Sequence, residues 1–213
     1  VSGDYTSITD SPATSEEYFF DINNAVPAQP GAISGNATVC ENATGEVYSI
    51  SPVNGASSYT WTVPSDASII SGEGTTSIIV NFGINSGDIC VTADNGCGAS
   101  EQTCSAITVN TAPSITIQPS DETNCEGGNT SFSVTATGTG LTYQWQVNTG
   151  SDWNNITAAG SDPTYANWTT ATLGVNSVVA SNDGYQYRCV VSGSCTPSAT
   201  SNSANLSVCT CVC

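Results

Sequence analysis

Apolar and polar residues alternate along most of the chain with the two-residue period of strands. Tyr59-Thr-Trp61-Thr-Val63 and Tyr143-Gln-Trp145-Gln-Val147 each put three large side chains on one face and polar residues on the other. Short runs of this kind lie at 31–34, 47–51, 58–63, 68–70, 76–81, 88–93 and 102–109. A second set lies at 114–118, 130–137, 142–147, 173–175, 186–192 and 199–208. Gly, Pro and Asn punctuate them at roughly 8–12-residue spacing, which predicts β-sandwiches. The pattern is weakest between 154 and 172, where a sheet edge is expected to be open. No segment longer than a turn has a helical period.

The two sets are near repeats. Cys40-Glu41 returns as Cys125-Glu126 after 85 residues, and Tyr59 and Trp61 return as Tyr143 and Trp145 after 84. Asn95-Gly-Cys97 matches Ser192-Gly-Ser-Cys195, and Thr111-Ala-Pro113 closes the first set. The expected architecture is all-β: an N-terminal arm and Pro linker at 1–30, then two consecutive β-sandwiches at 31–112 and 113–213. In the arm, Tyr18, Phe20 and Ile22 share one strand face, while Pro27 and Pro30 predict an extended spacer holding that strand away from the first sandwich. A lone strand is unstable in water. The arm is therefore expected to pair with another copy of the chain or with a neighbouring domain of the same protein.

Composition supports the strand reading: 18 Val and 14 Ile stand against three Leu and no Met. Charge excludes whole classes of function. There are 18 Asp+Glu, one Lys+Arg (Arg188) and no His, for a net charge of -17. One cation cannot neutralise a run of phosphates, so nucleic-acid binding is excluded, and so is attraction to anionic lipid. Without His or Lys there is no imidazole base and no Schiff base. No apolar run approaches the roughly 20 residues of a membrane helix, so no membrane insertion is expected. Almost no carboxylate can sit in a salt bridge. Melting temperature is therefore expected to hold or rise as pH falls from about 7 to 4.5, because self-repulsion fades and few ion pairs break. A steep fall would contradict this.

Ten cysteines in so polar a chain point to disulfides and an oxidising compartment. Cys209, Cys211 and Cys213 form C-T-C-V-C, which is not zinc-knuckle spacing, so no metal and no cofactor is expected. Glu16-Glu17 and Asp121-Glu122 place neighbouring carboxylates on opposite strand faces, which does not serve a two-carboxylate mechanism. Asp94-Asn95-Gly96 and Asn182-Asp183-Gly184 read as turns rather than calcium loops. No residue is assigned a catalytic role. Trp153 and Trp168 lie in polar surroundings, where each either caps an end of the sandwich or stacks on a sugar ring or a partner.

The Trp145 strand with Asp183-Gly-Tyr-Gln-Tyr187-Arg-Cys189 resembles bacterial immunoglobulin-like repeats, in which the Tyr makes a corner hydrogen bond. Gly55-Ala-Ser-Ser-Tyr59-Thr-Trp61, Gly72-Glu-Gly-Thr and Val91-Thr-Ala-Asp-Asn95-Gly-Cys97-Gly98 resemble PKD-like modules. Together they look like a segment of a large surface adhesin or gliding-type protein of Bacteroidetes bacteria. Phe132 and Val134 stand where an antibody-type domain carries its first Cys.

The duplicated pattern predicts four disulfides. Cys40–Cys97 and Cys125–Cys195 are equivalent, each joining the start of strand B to the loop after strand F. Cys90–Cys104 and Cys189–Cys209 would each staple an F–G hairpin. Cys211 and Cys213 remain for links between molecules. The expected function is a non-catalytic extracellular module of the bacterial cell surface, an adhesin segment or a filament subunit. Its copies would join head to tail by strand donation from the arm. The alternative is a carbohydrate-binding module that meets surface glycans through Trp153 and Trp168.

Overall fold

The structure is a computed structural model and describes residues 25–209. The first core is built from β1 (Thr38–Cys40), β2 (Glu46–Ser49), β3 (Ser58–Thr62), β4 (Ser68–Ser71), β5 (Ser77–Asn81), β6 (Gly87–Asn95), β7 (Gly98–Ala99) and β8 (Thr103–Asn110). One sheet runs β1-β8-β6-β3, with β7 beside β6, and it faces the sheet β2-β5-β4. Alternation decides what goes inside. Tyr59, Trp61, Ile89, Val91, Ala93 and Ile107 from one sheet pack on Tyr48, Ile78 and Val80 from the other.

The second core uses β9 (Ser114–Ile117), β10 (Glu122–Cys125), β11 (Thr130–Ser133), β12 (Thr135–Thr137), β13 (Thr142–Asn148), β14 (Trp153–Asn155), β15 (Thr164–Ala166), β16 (Thr172–Asn176), β17 (Gln186–Ser192), β18 (Ala199–Thr200) and β19 (Ala204–Cys209). The sheet β10-β19-β17-β13-β14 faces β11-β16-β15, and β9 pairs with β12. Phe132, Trp145, Leu173, Val175, Tyr187, Val191 and Leu206 fill the space between. Among the described residues there is no α-helix, only a 3-10 turn at Ala180–Asn182. Both cores are β-sandwiches, and the described residues form one all-β fold of two consecutive sandwiches.

The repeat is deeper in space than in sequence. Each sandwich carries an early strand parallel to its own last strand, β1 with β8 and β10 with β19. Each buried indole donates to the carbonyl of a threonine in a tight loop: Trp61 Nε1 to Thr75 O and Trp145 Nε1 to Thr170 O, both at 2.9 Å. The two threonines tie their loops in the same way. Thr75 Oγ1 donates to the carbonyls of Gly72 and Ser77, and Thr170 Oγ1 to those of Asn167 and Thr172. The loops open on a left-handed residue, Gly72 with φ 86° or Asn167 with φ 60°, which are residue types that tolerate that conformation.

Three expectations are corrected. Residues 31–34 form only a bridge, Ser34 to Ser49. The Pro segment is no spacer: Pro27 and Pro30 are buried, Gln29 Nε2 donates to Gln102 O, and Thr103 Oγ1 donates to Pro30 O. Proline rings supply apolar surface as well as stiffness, and here that surface lies against the first sandwich. The corner hydrogen bond of Tyr187 is absent. Its hydroxyl is buried without a partner of good geometry, because the ring turns inward to stack on Phe132 at 4.7 Å and meets Tyr165 edge to face. Between 154 and 172, β14 and β15 are short edge strands of the two facing sheets.

These buried groups set an alkaline limit. Burial first, and Glu46 second, push the Tyr48 hydroxyl up to about 12. Burial first also raises Tyr165 and Tyr187, and it pushes the Cys189 thiol up to about 11. Each stays protonated in the folded chain after its unfolded counterpart has ionised, so the unfolded state sheds protons first. Stability is thus level below about pH 8 and falls as pH rises through 9 and 10 toward 12. Chemical denaturation midpoints measured across that range check this, and an unchanged midpoint at pH 11 contradicts it.

Candidate functional site

Two features carry chemistry that the sandwiches alone do not need. The first is the junction between the cores. β6 runs nine residues from Gly87 to Asn95. Cys40 is paired with Asn110 beyond the Gly87 end, whereas Cys97 follows the Asn95 end. At about 3.3 Å per residue the two cysteines are roughly 25 Å or more apart, far beyond the ~7 Å that a disulfide spans between Cα atoms. The same logic separates Cys125, beside Cys209, from Cys195 past the far end of β17. The expected bridges Cys40–Cys97 and Cys125–Cys195 are therefore corrected: each pair occupies opposite ends of one sandwich. The end of the first sandwich meets the start of the second, and Cys40 bonds Cys195 across the junction.

Backbone bonds reinforce that bridge. Ala112 N donates to Glu41 Oε1 at 2.9 Å. Thr111 N donates to Thr139 Oγ1 and Thr139 N to Thr111 O, both at 3.1 Å. Two glycines permit the close approach. A Cβ on Gly193 would lie 2.8 Å from Thr139 O and 2.9 Å from Pro113, and one on Gly138 would lie 2.9 Å from Ala112 O.

Cys90 and Cys104 are cross-strand partners on β6 and β8 and are disulfide-bonded. The matching bridge expected in the second sandwich, Cys189–Cys209, is corrected. Trp61 faces Val91 across its ladder, and Trp145 faces Cys189 across the other. Cys189 is thus the counterpart of Val91, and Arg188 is the counterpart of Cys90. A shift of one residue moves a side chain to the other face of the sheet. Cys189 is a buried thiol in the core, while Cys209 is exposed at the end of β19, its Sγ 3.4 Å from that of Cys125.

The second feature is the outer face of β13, β14 and β17. Here the one described cation stands where the first sandwich has a disulfide. The Arg188 guanidinium lies 4.3 Å over the Trp153 ring, a cation–π contact, and Arg188 Nε donates to Gln146 Oε1 at 2.7 Å. Gln146 Nε2 continues to Asn155 Oδ1 at 2.8 Å. Beside this row, Gln186 Nε2 donates to Asn205 Oδ1, and Asn205 donates to Asp121 Oδ1. Among the described residues no carboxylate pairs with Arg188. The arrangement is a flat face of amides around one guanidinium and one indole. Trp168 is not part of it. Its carbonyl accepts from Trp145 N, in the place where Glu73 serves Trp61, and its side chain packs against the second core. Sequence reasoning missed Arg188 and Gln146; the signal was their cross-strand register.

The remaining candidates are structural. Asp121 and Glu122 accept from Asn205 and from Ser120 and Thr130. Asp94 accepts from Thr60 Oγ1, and buried Asn182 closes its turn by accepting from Val179 N. Tyr18, Phe20, Ile22, Glu16, Glu17, Cys211 and Cys213 lie outside the described residues. Among the described residues no helix is long and apolar enough to cross a membrane.

Residues 26–109 match a family described as PKD-like domain. No curated protein matches the chain. Among solved structures, the I-band fragment I67-I69 from titin has a TM-score of 0.57 at 14% identity, over 86% of this chain and 66% of that one. Drosophila OTK extracellular domains 3-5 has 0.53 at 18% identity, over 87% and 60%. DIP-gamma IG1+IG2 has 0.52 at 13% identity, over 84% and 98%. The chain thus spans just under two thirds of the titin fragment and less of the OTK one. At such identities the likeness concerns the fold, which is that of tandem immunoglobulin-like domains. The two bridges Cys40–Cys195 and Cys90–Cys104 point to an oxidising compartment, and so to an extracellular or surface location.

Proposed function

We propose that the chain is a non-catalytic structural segment of a bacterial surface adhesin or filament of the Bacteroidetes type. The observation that carries this reading is the Cys40–Cys195 junction, which fixes one sandwich on the next covalently. Such a clamp keeps the modules of a load-bearing protein aligned. Copies join head to tail by strand donation from the arm, whose Tyr18, Phe20 and Ile22 add to the short sheet edges of the second sandwich. Cys211 and Cys213 serve links between neighbours. Electron microscopy of the native protein tests this: head-to-tail polymers that vanish on deletion of residues 1–24 support strand donation, and equally abundant polymers without them refute it.

A second reading is favoured by the Arg188 face. Amide rows beside an exposed-edge indole suit the hydroxyls and apolar face of a sugar. Trp153 would then contact surface glycans, without Trp168, whose side chain packs against the core. On a polysaccharide panel, binding that is lost in Trp153→Ala supports this second reading; absence of binding removes it.

A further inference from the structure

The internal junction has two halves, and both recur at the outer ends of the two described sandwiches. On its upstream half, Cys40-Glu41 follows β1, Glu41 N donates to Asn110 O at 2.8 Å, and Glu41 Oε1 accepts from Ala112 N. At the end of the second sandwich, Cys125-Glu126 follows β10 in the same way, and Glu126 N donates to Cys209 O at 3.3 Å. The Glu126 carboxylate is exposed and accepts no hydrogen bond among the described residues.

On the downstream half, Asn110-Thr-Ala-Pro113 enters the second sandwich. Asn24-Ala-Val-Pro27 repeats that segment 86 residues earlier. Residues 25–27 enter the first sandwich at the matching end, where Asn95 Nδ2 donates to Ala25 O at 2.8 Å and to Gly55 O at 3.2 Å. Val26 is 51% exposed and packs beside Gly98. Among the described residues its N–H meets no acceptor, whereas the N–H of its counterpart Ala112 is held by Glu41. Cys97 stands after β6 where Cys195 stands after β17. Among the described residues, one outer end therefore lacks an acceptor and the other lacks a donor, and the internal junction displays the two joined.

We infer that the start of the first sandwich is a docking surface for the end of the second sandwich of another copy, in the geometry of the internal junction. The Glu126 carboxylate accepts the Val26 N–H of the next copy, as Glu41 accepts that of Ala112. This rests on the self-assembly reading above and names its contact surface. Docking brings the chain before Ala25 alongside the second sandwich of the neighbour, where strand donation requires it. Two bodies of charge -17 repel. Association therefore strengthens as salt rises, the reverse of an assembly held by opposite charges.

Sedimentation velocity of the full chain over a concentration series, at about 0.02 M and about 0.5 M salt, tests the inference. End-to-end species are expected to grow with concentration and salt, and X-ray scattering should give the dimer about twice the longest dimension of the monomer. Glu126→Ala and Val26→Pro are each expected to weaken association about tenfold or more, the worth of a charge-assisted hydrogen bond. Both residues are exposed, so the melting temperature should not move. A chain that stays monomeric throughout overturns the inference, as does association that neither substitution alters. Deletion of residues 1–24 separates the two ideas. Association that survives it but is lost in Glu126→Ala upholds docking and removes strand donation. Association that it abolishes, and that both substitutions leave intact, does the opposite.

Discussion

Replacing both Cys40 and Cys195 by alanine is expected to split thermal unfolding into two transitions and to free the sandwiches to move against each other. The bridge closes a loop with a sequence separation of 155. In the chain-entropy model such a loop stabilises by about 5 kcal/mol, an upper value for a disulfide. Each sandwich has its own core, so the lost stabilisation falls mainly on their coupling. The hydrogen bonds between Thr111 and Thr139 and between Ala112 and Glu41 remain, but surface bonds worth about 1 kcal/mol each do not hold two domains rigidly. Calorimetry should resolve two peaks, and X-ray scattering should report a broader distribution of dimensions. A single peak at the original temperature would refute the clamp. Cys195 is 2% exposed, so alanine at that site adds no buried polar group.

Trp145→Ala is the second large effect. Trp145 is fully buried at the centre of the second core, and its indole holds the loop at Thr170. Truncation removes that packing and leaves the Thr170 carbonyl without its donor, at a cost of about 3–5 kcal/mol. For a sandwich of this size that corresponds to a fall of roughly 15–30 °C in melting temperature. In the background lacking the Cys40–Cys195 bridge, only the second transition should move. Trp145→Phe keeps much of the volume but not the N–H, and it should lie between. If the first transition falls equally, the two cores are not independent.

Part of this architecture was legible in the chain. Alternation at Tyr59–Val63 and Tyr143–Val147 marks strands because a side chain changes face at every residue, whatever surrounds it. The repeat of those pentads marks two sandwiches because a core Trp needs the same neighbours each time. The Trp61 and Trp145 loops escaped notice. Their tie is made by Thr75 and Thr170 through main-chain carbonyls, and Gly72-Glu-Gly-Thr and Asn167-Trp-Thr-Thr share little else. Trp168 was misleading for a related reason: Trp145 N is held by the main-chain carbonyl of Trp168, whereas Trp61 N is held by the Glu73 carboxylate, so the role passes from side chain to backbone and leaves the Trp168 side chain free for the core.

The sequence by itself thus determined strand positions, the two cores and the polar, acidic surface, all of which depend on the local period and on composition. Tertiary structure alone decided which cysteines meet and which side chains form the outer face. Disulfide choice depends on which end of a sandwich each cysteine reaches, and an 85-residue repeat places Cys40 and Cys125 alike without saying what lies opposite. Cys189 and Cys90 look equivalent along the chain, yet cross-strand register sets them one residue apart, which puts one in the core and the other on the surface. Arg188 came to rest over Trp153 by that same single step, because the hydrogen-bonded ladder, and not the spacing along the chain, determines which residue a strand presents to its neighbour.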